Sequence, residues 1–185
     1  KIEIVYTGRI LKDKGVIDLI KAMKLLDDES KKDIVLKLYG TIDIKNPAHI
    51  KEEELKSQLI RGFIKWEGFT SEVKRILESA DIYCLPSYRE GLPKSSIEAM
   101  AIGRPIITTN VPGCEDTVQD GYNGYKIEAG DVEALSKKLN ELIKNKQLRI
   151  QMGENSRKLF LRNFTLEKVI SQIVESYNSV LSITC

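Results

Sequence analysis

Short apolar segments alternate with amphipathic ones along most of the chain, and this alternation restricts the fold more than any other feature. Apolar residues at strand spacing predict strands at residues 2–7, 34–39, 64–66, 82–85, 105–109 and 124–127. Apolar residues at helical spacing predict helices at 15–26, 50–61, 71–79, 94–102, 132–144, 147–161 and 166–181. Strands and helices in this order indicate an α/β fold: a doubly wound, mostly parallel sheet with extra helices at its carboxyl-terminal end.

The length and composition fit one well-buried domain without a nucleic-acid partner. We assign residues 1–163 of the 185 to this domain and residues 164–185 to a terminal helix. Because the strand pattern starts at the first residue, we expect the chain to be an excised half of a longer protein. The 29 Lys and Arg residues and 27 Asp and Glu residues are spread along the chain, which argues against nucleic-acid binding.

Cysteine usage and hydropathy indicate the cell compartment. The three cysteines are far apart and form no CxxC pair, so neither a disulfide framework nor a zinc site is predicted. This pattern fits a reducing cytoplasm. The sequence contains no run of 18 apolar residues and therefore predicts no transmembrane helix.

Glycine and charged residues follow several of the predicted strands. Gly8 and Arg9 come after the first strand, Gly40 after the second, and Glu90 after the strand at 82–85. In parallel α/β sheets, ligands bind beyond the carboxyl ends of the strands. We therefore expect these residues to surround one site.

The segment between Glu90 and Glu98 carries the most functional information. A Gly-Pro loop leads into the predicted helix at 94–102, and a helix N-terminus offers unpaired N–H groups that suit a phosphate. Two carboxylates beside such a site suit the hydroxyl groups of a phosphorylated sugar or nucleoside. The alternative interpretations are a surface loop acid for Glu90 and, for Glu98, a first-turn acid that favours the helix dipole.

Two basic residues in the turn after the first strand are candidates for phosphate binding. Arg9 and Lys14 could reach one anion together, the first as a guanidinium fork and the second as an ammonium group. The alternative is a solvated basic turn. The segment contains neither GxGxxG nor GxxxxGK[ST], so the usual dinucleotide and P-loop interpretations are weak.

Four motifs in order closely resemble the group 1 glycosyltransferases over nearly the whole chain. They are Gly8-Arg9 with Lys14-Gly15, Glu90 and Glu98-Ala99-Met100-Ala101 separated by seven residues, Gly103-Arg104-Pro105, and Asp120-Gly121-Tyr122-Asn123-Gly124. Enzymes of this family are retaining and consist of two Rossmann-like domains in the GT-B arrangement. The resemblance implies that this chain is the carboxyl-terminal, donor-binding half of such an enzyme.

The resemblance also implies roles for individual residues. Arg9 and Lys14 would hold the donor diphosphate, Glu90 the transferred sugar, and Glu98 the ribose hydroxyls. The helix-start backbone would meet sugar and phosphate oxygens through Gly91, Leu92, Pro93, Lys94, Ser95 and Ser96. The nucleobase would lie near Gly40, Lys65 and Trp66, although a Trp in a strand is more often a core residue. Gly8 would also belong to the donor site. Glu90, Arg9 and Lys14 would be the residues essential to turnover.

The function implied is transfer of a sugar from a nucleoside diphosphate donor, expected to be a UDP-sugar, to a glycan or lipid-linked acceptor. The reaction would belong to bacterial surface polysaccharide synthesis. The protein would lie in the cytoplasm, either free or peripherally associated, as the whole protein, with the inner face of the membrane. No cofactor is expected, and no metal is required because the cations and helix N–H groups could replace it. The partner would be an amino-terminal acceptor domain, without which the half is expected to be inactive. The alternatives are a nucleotide-sugar epimerase and a non-catalytic sugar-nucleotide-binding module.

Overall fold

The computed structural model describes residues 1–183, and within that range six strands form one sheet. The strands are β1 (Ile2–Thr7), β2 (Ile34–Tyr39), β3 (Ile64–Gly68), β4 (Ile82–Leu85), β5 (Ile106–Thr109) and β6 (Gly124–Ile127). All neighbouring strands are parallel, in the order β3-β2-β1-β4-β5-β6. The predicted doubly wound α/β fold is confirmed.

Helices lie between the strands and dominate the last third of the chain. They are α1 (Val16–Leu25), α2 (Asp28–Lys32), α3 (Glu52–Gln58), α4 (Val73–Ser79), α5 (Lys94–Ile102), α6 (Val132–Lys144), α7 (Lys146–Asn163) and α8 (Leu166–Ile183). The sequence pattern did not predict α2, because its five residues are polar and offer no apolar stripe. A side-chain cap starts this helix instead, since the Asp27 carboxylate accepts a hydrogen bond from the Ser30 N–H at 2.7 Å.

The helix predicted at 50–61 is shorter than expected because two apolar residues at its ends serve other elements. Ile50 lies in the hydrophobic core ahead of α3. Ile60 forms an isolated antiparallel bridge with Ile64 at the start of β3. Both residues match helical spacing by their apolar character alone, so the pattern could not separate them from the helix.

Helices cover both faces of the sheet, so the inner strands are buried on both sides. All residues of β4 and β5 are buried. α1 packs against α6, and α5 packs against α7. Near-continuous apolar strands are what a parallel sheet between two helical layers requires, since neither face meets water.

The strand order creates a crevice at the carboxyl ends of the two central strands, β1 and β4. The chain moves outwards from β1 to β2 and β3, then returns to place β4 on the other side of β1. Ligands in open α/β sheets bind beyond the carboxyl ends of the strands at such a point of reversal. The loops that follow β1 and β4 are those that carry Arg9 and Glu90.

The last helix presents apolar side chains to solvent. The exposed residues of α8 include Leu166, Val169, Ile170, Ile173, Val174, Tyr177 and Leu181. The assignment of 1–163 and 164–185 to separate units stays a prediction, and residues 184 and 185 lie outside the described range. No helix in the described range combines the length and apolar character needed to span a bilayer.

Candidate functional site

A cavity of about 390 Å³ lies at the carboxyl ends of β1 and β4, where the strand order reverses. We call it the switch-point cavity. Its lining residues are Thr7, Gly8, Arg9, Lys14, Val73, Leu85, Glu90, Leu92, Pro93, Lys94, Ser95 and Glu98. Both cations and both carboxylates predicted from the sequence therefore face one space, together with the start of α5. Their functional roles stay predictions.

Lys14 and Glu90 form an ion pair in the wall of this cavity. The Lys14 Nζ atom lies 2.6 Å from Glu90 Oε1, and each side chain is 15% exposed. The Ser87 hydroxyl lies 3.1 Å from the same carboxylate oxygen and can donate to it. Burial at this level strengthens the electrostatic attraction and limits exchange with water. Any anion that enters the cavity must compete with Glu90 for the ammonium group.

Arg9, which also lines the cavity, makes a more exposed ion pair with Asp43. Its Nη1 atom lies 3.1 Å from Asp43 Oδ2, and the two side chains are 55% and 33% exposed. The backbone of Arg9 is better fixed than its side chain, because the buried Tyr6 hydroxyl donates to the Arg9 carbonyl at 2.6 Å. A surface pair of this kind contributes about 0–1 kcal/mol, so the guanidinium can turn towards a ligand at low cost.

The start of α5 supplies backbone donors to the cavity. Among the described residues no side chain caps this helix, whose N-cap position is Pro93. The N–H groups of Ser96 and Ile97 bond to the Pro93 carbonyl, at 3.1 and 3.2 Å. The first N–H groups of a helix have no partner within it, so those of Lys94 and Ser95 can receive an anion.

Glu98 lies one turn further along α5 and also faces the cavity. Partial burial raises the pKa of its carboxyl group, and the nearby Lys94 opposes that rise. The residue as a whole is nevertheless exposed by surface area. A carboxylate in this position can accept hydrogen bonds from hydroxyl groups of a ligand held at the helix start.

A second cavity of about 250 Å³ adjoins the first and shares Thr7, Gly8, Arg9 and Val73 with it. We call it the side cavity. Its other lining residues are Tyr39, Gly40, Thr41, Phe69 and Thr70. Gly40 has a φ of +150°, and a Cβ atom there would lie 1.7 Å from the Gly8 carbonyl oxygen. Glycine is therefore required where the loops after β1 and β2 meet.

The sequence analysis missed seven lining residues of the two cavities: Thr7, Tyr39, Thr41, Phe69, Thr70, Val73 and Leu85. Phe69 and Thr70 follow β3 as Gly8 follows β1 and Gly40 follows β2. The rule that ligands bind beyond the carboxyl ends of the strands identified Gly8 and Gly40. Applied to the third strand, the same rule would have identified Phe69 and Thr70. Phe69 is 76% exposed, which leaves an aromatic face available at the rim of the side cavity.

Lys65 and Trp66, predicted near the nucleobase, line neither the switch-point cavity nor the side cavity. Lys65 is exposed on β3. Trp66 is half-buried, packs against the core, and donates its indole N–H to the Gly40 carbonyl at 2.8 Å. Trp66 also lines a third cavity together with Thr41 and His49. Its predicted place near the nucleobase stays a prediction.

Two further predicted residues, Ser96 and Gly91, do not line the switch-point cavity. Ser96 is fully buried, and its hydroxyl has no hydrogen-bond partner among the described residues. Gly91 is exposed and its carbonyl lies against Gly113, where a Cβ atom would come within 1.9 Å of that oxygen. Gly113 also has a φ of +81°, a left-handed conformation that favours glycine. Both the close contact and the backbone conformation therefore require glycine at this position. The loop after β5 thus supports the loop that carries Glu90.

The described residues contain no group of His, Cys, Asp or Glu side chains arranged to hold a metal ion. Cys114 lies near the Glu90–Lys14 pair but is buried, and burial raises the pKa of its thiol. The thiolate is the nucleophilic form of cysteine, so this residue is suited to packing. The chemistry of the cavity is that of fixed cations, backbone N–H groups and two carboxylates.

Comparison with known proteins identifies the family. Residues 1–159 match the family model described as glycosyl transferases group 1. The chain is 32% identical over 176 residues to a capsular polysaccharide biosynthesis glycosyltransferase, CapM, of Staphylococcus aureus, covering 95% of this chain and 46% of that protein. It is 30% identical over 149 residues to the N,N′-diacetylbacillosaminyl-diphospho-undecaprenol α-1,3-N-acetylgalactosaminyltransferase of Campylobacter jejuni, covering 80% of this chain and 37% of that protein.

Solved structures show the same fold. HepE of Anabaena in complex with UDP superposes with a TM-score of 0.85 at 20% identity, covering 97% of this chain and 49% of that one. TarM of S. aureus superposes with a TM-score of 0.80 at 23% identity, covering 95% of this chain and 35% of TarM. The chain spans less than half the length of these relatives. By its family-model match over residues 1–159, the chain belongs to the group 1 glycosyltransferases.

Proposed function

We propose that this chain is the donor-binding half of a retaining glycosyltransferase that takes its sugar from a nucleoside diphosphate sugar. The observation that carries the proposal is the switch-point cavity, where Arg9, Lys14 and the uncapped start of α5 meet two carboxylates. Pyrophosphate requires fixed positive charge and N–H donors, and a sugar requires acceptors for its hydroxyl groups. The cavity offers both within one space.

The adjoining cavities suggest how the donor lies. The diphosphate would contact Lys14, Arg9 and the first N–H groups of α5, with the transferred sugar beside Glu90. The ribose would reach Glu98. The nucleoside base would enter the side cavity beside Gly40, where the exposed ring of Phe69 can stack on it. Uracil is the proposed base because UDP occupies relatives of the same fold, including HepE.

The protein groups act mainly by stabilising the leaving group. Charge builds on the diphosphate as the glycosidic bond breaks, and preorganised donors that face developing charge typically supply about 3–4 kcal/mol each. Once the diphosphate has displaced Glu90 from Lys14, the ammonium group and the α5 N–H groups face the leaving group, so they need little reorganisation when the bond breaks. This arrangement supports a metal-independent reaction. Glu90 would orient the sugar, and departure and attack on one face would retain the anomeric configuration.

The proposed acceptor is a glycan or a lipid-linked saccharide in bacterial surface polysaccharide synthesis, as the names of CapM and the C. jejuni relative suggest. The acceptor would lie between this half and an amino-terminal domain. The isolated chain should therefore bind UDP but transfer sugar poorly. The localisation that follows is cytoplasmic, with the whole protein able to work at a membrane surface.

Titration calorimetry with UDP tests the proposal directly. Lys14→Ala removes a charged hydrogen bond worth about 1.5–3 kcal/mol, so UDP affinity should fall about ten- to a hundredfold. Lys12→Ala is the matched control, because Lys12 is exposed in the same turn and does not line the switch-point cavity. Thermal melting of both variants checks that they remain folded. Equal UDP affinity in the two variants would contradict the site.

Two further measurements separate the proposal from its alternatives. Uridine should bind much more weakly than UDP, since the diphosphate supplies the charge that the cavity recognises. In the full-length protein, an epimerase would convert the donor sugar without any acceptor, and a non-catalytic module would keep its function after Glu90→Gln. Loss of transfer to an acceptor after Glu90→Gln, with UDP binding retained, is the result expected of a transferase.

A further inference from the structure

A basic cavity lies at the amino-terminal ends of β4 and β5, at the other end of the strands from the switch-point cavity. It measures about 580 Å³ and is lined by residues that precede β4 and β5, the carboxyl end of α5 and one face of α7. We call it the distal cavity. Five cationic side chains line it: Arg104, Lys146, Arg149, Arg157 and Lys158. Two acids, Asp81 and Glu154, are the anionic residues of the lining.

The positive charge of the distal cavity is not neutralised by the ion pairs found among the described residues. Every salt bridge of the described range joins residues outside this cavity. Asp81 is occupied in part, because its carboxylate accepts a hydrogen bond from the Glu3 N–H at 2.8 Å. The whole chain carries a net charge of only +2, so the excess of five cations over two acids is a local concentration.

Three of the cations also cap helices, which is the structural alternative to ligand binding. Arg104 donates to the Glu78 carbonyl at 2.8 Å, Arg157 to that of Ala101 at 2.6 Å, and Arg149 to the last turn of α6. A helix carboxyl end carries about half a negative charge, whereas each guanidinium carries a full positive one. A guanidinium also has five N–H donors, of which these caps use one or two. Capping therefore leaves both charge and donors unused.

Two details of the lining are unfavourable without an anion. The Arg104 Nε atom is buried without a hydrogen-bond partner among the described residues. Lys146 lies in the first turn of α7, which contains no acidic residue. Cations there oppose the helix dipole, which favours negative charge at the N-terminus. A bound anion would accept hydrogen bonds from the guanidinium groups. It would also replace the repulsion between the cations and the N-terminus of α7 with attraction.

We propose that the distal cavity binds a phosphate group, supplied either by a free phosphorylated metabolite or by an anionic phospholipid headgroup. Guanidinium groups match phosphate oxygens in a two-point geometry, and Arg104 and Arg149 sit half-buried where such bonds gain strength. The cavity exceeds the size of a phosphate, and the apolar Ile102 and Pro105 in its lining can contact an organic group. The site is separate from the donor site and does not depend on it.

Charge reversal at the rim distinguishes this proposal from simple helix capping. Lys146 and Lys158 are exposed and make no cap, so Lys146→Glu with Lys158→Glu leaves the arginine caps intact. Lys146→Glu should even favour α7, because it places an acid in the first turn. If the cations served only the fold, ligand binding would be absent in the wild type. The matched control is Lys137→Glu with Lys21→Glu, which gives the same charge change at exposed positions outside the distal cavity and the two donor-site cavities.

Two-dimensional NMR with pyrophosphate as the probe is the test, because it reports where the ligand binds. The amide signals of Gly103 and Gly153 report on the distal cavity, and those of Gly8 report on the switch-point cavity. We expect pyrophosphate to shift the Gly103 and Gly153 signals in the wild type and in the control variant. The Lys146→Glu/Lys158→Glu variant should bind there at least tenfold more weakly. Absence of shifts at these glycines, or equal affinity in both variants, overturns the proposal.

A second experiment, co-sedimentation with lipid vesicles, identifies the source of the phosphate. Co-sedimentation with phosphatidylglycerol vesicles that is lost in Lys146→Glu/Lys158→Glu but kept in the control supports a lipid headgroup. Pyrophosphate binding without such co-sedimentation supports a free metabolite. Vesicle binding that is equally strong in both variants, together with unshifted Gly103 and Gly153 signals, would count against the cavity as an anion site.

Discussion

Replacement of Glu90 by Gln is expected to strengthen UDP binding although it should abolish sugar transfer. In the unliganded structure the Glu90 carboxylate holds the Lys14 ammonium at 2.6 Å, with both side chains 15% exposed. Glu90→Gln keeps an oxygen that can accept from the Lys14 ammonium but removes the negative charge of the pair, so the attraction weakens by about 1 kcal/mol. The diphosphate then meets a Lys14 that is easier to release, and UDP should bind about fivefold more tightly.

The same substitution should lower the free energy of unfolding by about 1 kcal/mol, since the pair is weakened in the folded protein. Calorimetry with UDP and urea denaturation, performed on one preparation, measure both effects. Glu67→Gln is the control, because Glu67 is exposed on β3 and does not line either site cavity. The control should change neither quantity. Unchanged stability and weaker UDP binding in Glu90→Gln would refute the idea that Glu90 competes with the ligand for Lys14.

Two further substitutions test the supports of the site and of the fold. Gly113→Ala places a Cβ atom 1.9 Å from the Gly91 carbonyl oxygen, so it should displace the Glu90 loop and weaken UDP binding. Gly121→Ala is the control, because Gly121 also has a positive φ but open space around it, and it should lower the free energy of unfolding only by the backbone strain of about 1–2 kcal/mol. Urea denaturation measures the stability of both variants, and calorimetry measures their UDP affinity. Asp27 accepts the Ser30 N–H and pairs with Lys144, which hold its pKa well below the usual range. Its stabilising contribution is therefore complete above the unfolded pKa of about 3.9 and is lost as the pH falls through the lower folded value. Unfolding curves should show Asp27→Asn less stable than wild type at pH 7, with the difference shrinking in strong acid; a constant difference would contradict this account.

The sequence alone determined the fold class and most element boundaries. The predicted ranges of β1, β2, β4 and β6 agree with the structure, and so does that of α5. These elements are readable because each has a local apolar pattern, continuous or every second residue in a strand and every third or fourth residue in a helix, which the sequence displays directly. Short elements such as α2 escaped because a side-chain cap, and no apolar face, specifies them.

The sequence also indicated which residues would gather at the switch-point cavity, since the rule that ligands bind beyond strand ends needs only the order of segments. It could not give the strand order β3-β2-β1-β4-β5-β6, which decides that the loops after β1 and β4 are neighbours. It likewise could not show that Lys14 pairs with Glu90, 76 positions away, or Arg9 with Asp43. Opposite charges are numerous along the chain, and only the tertiary structure decides which of them meet and how far water is excluded from each pair.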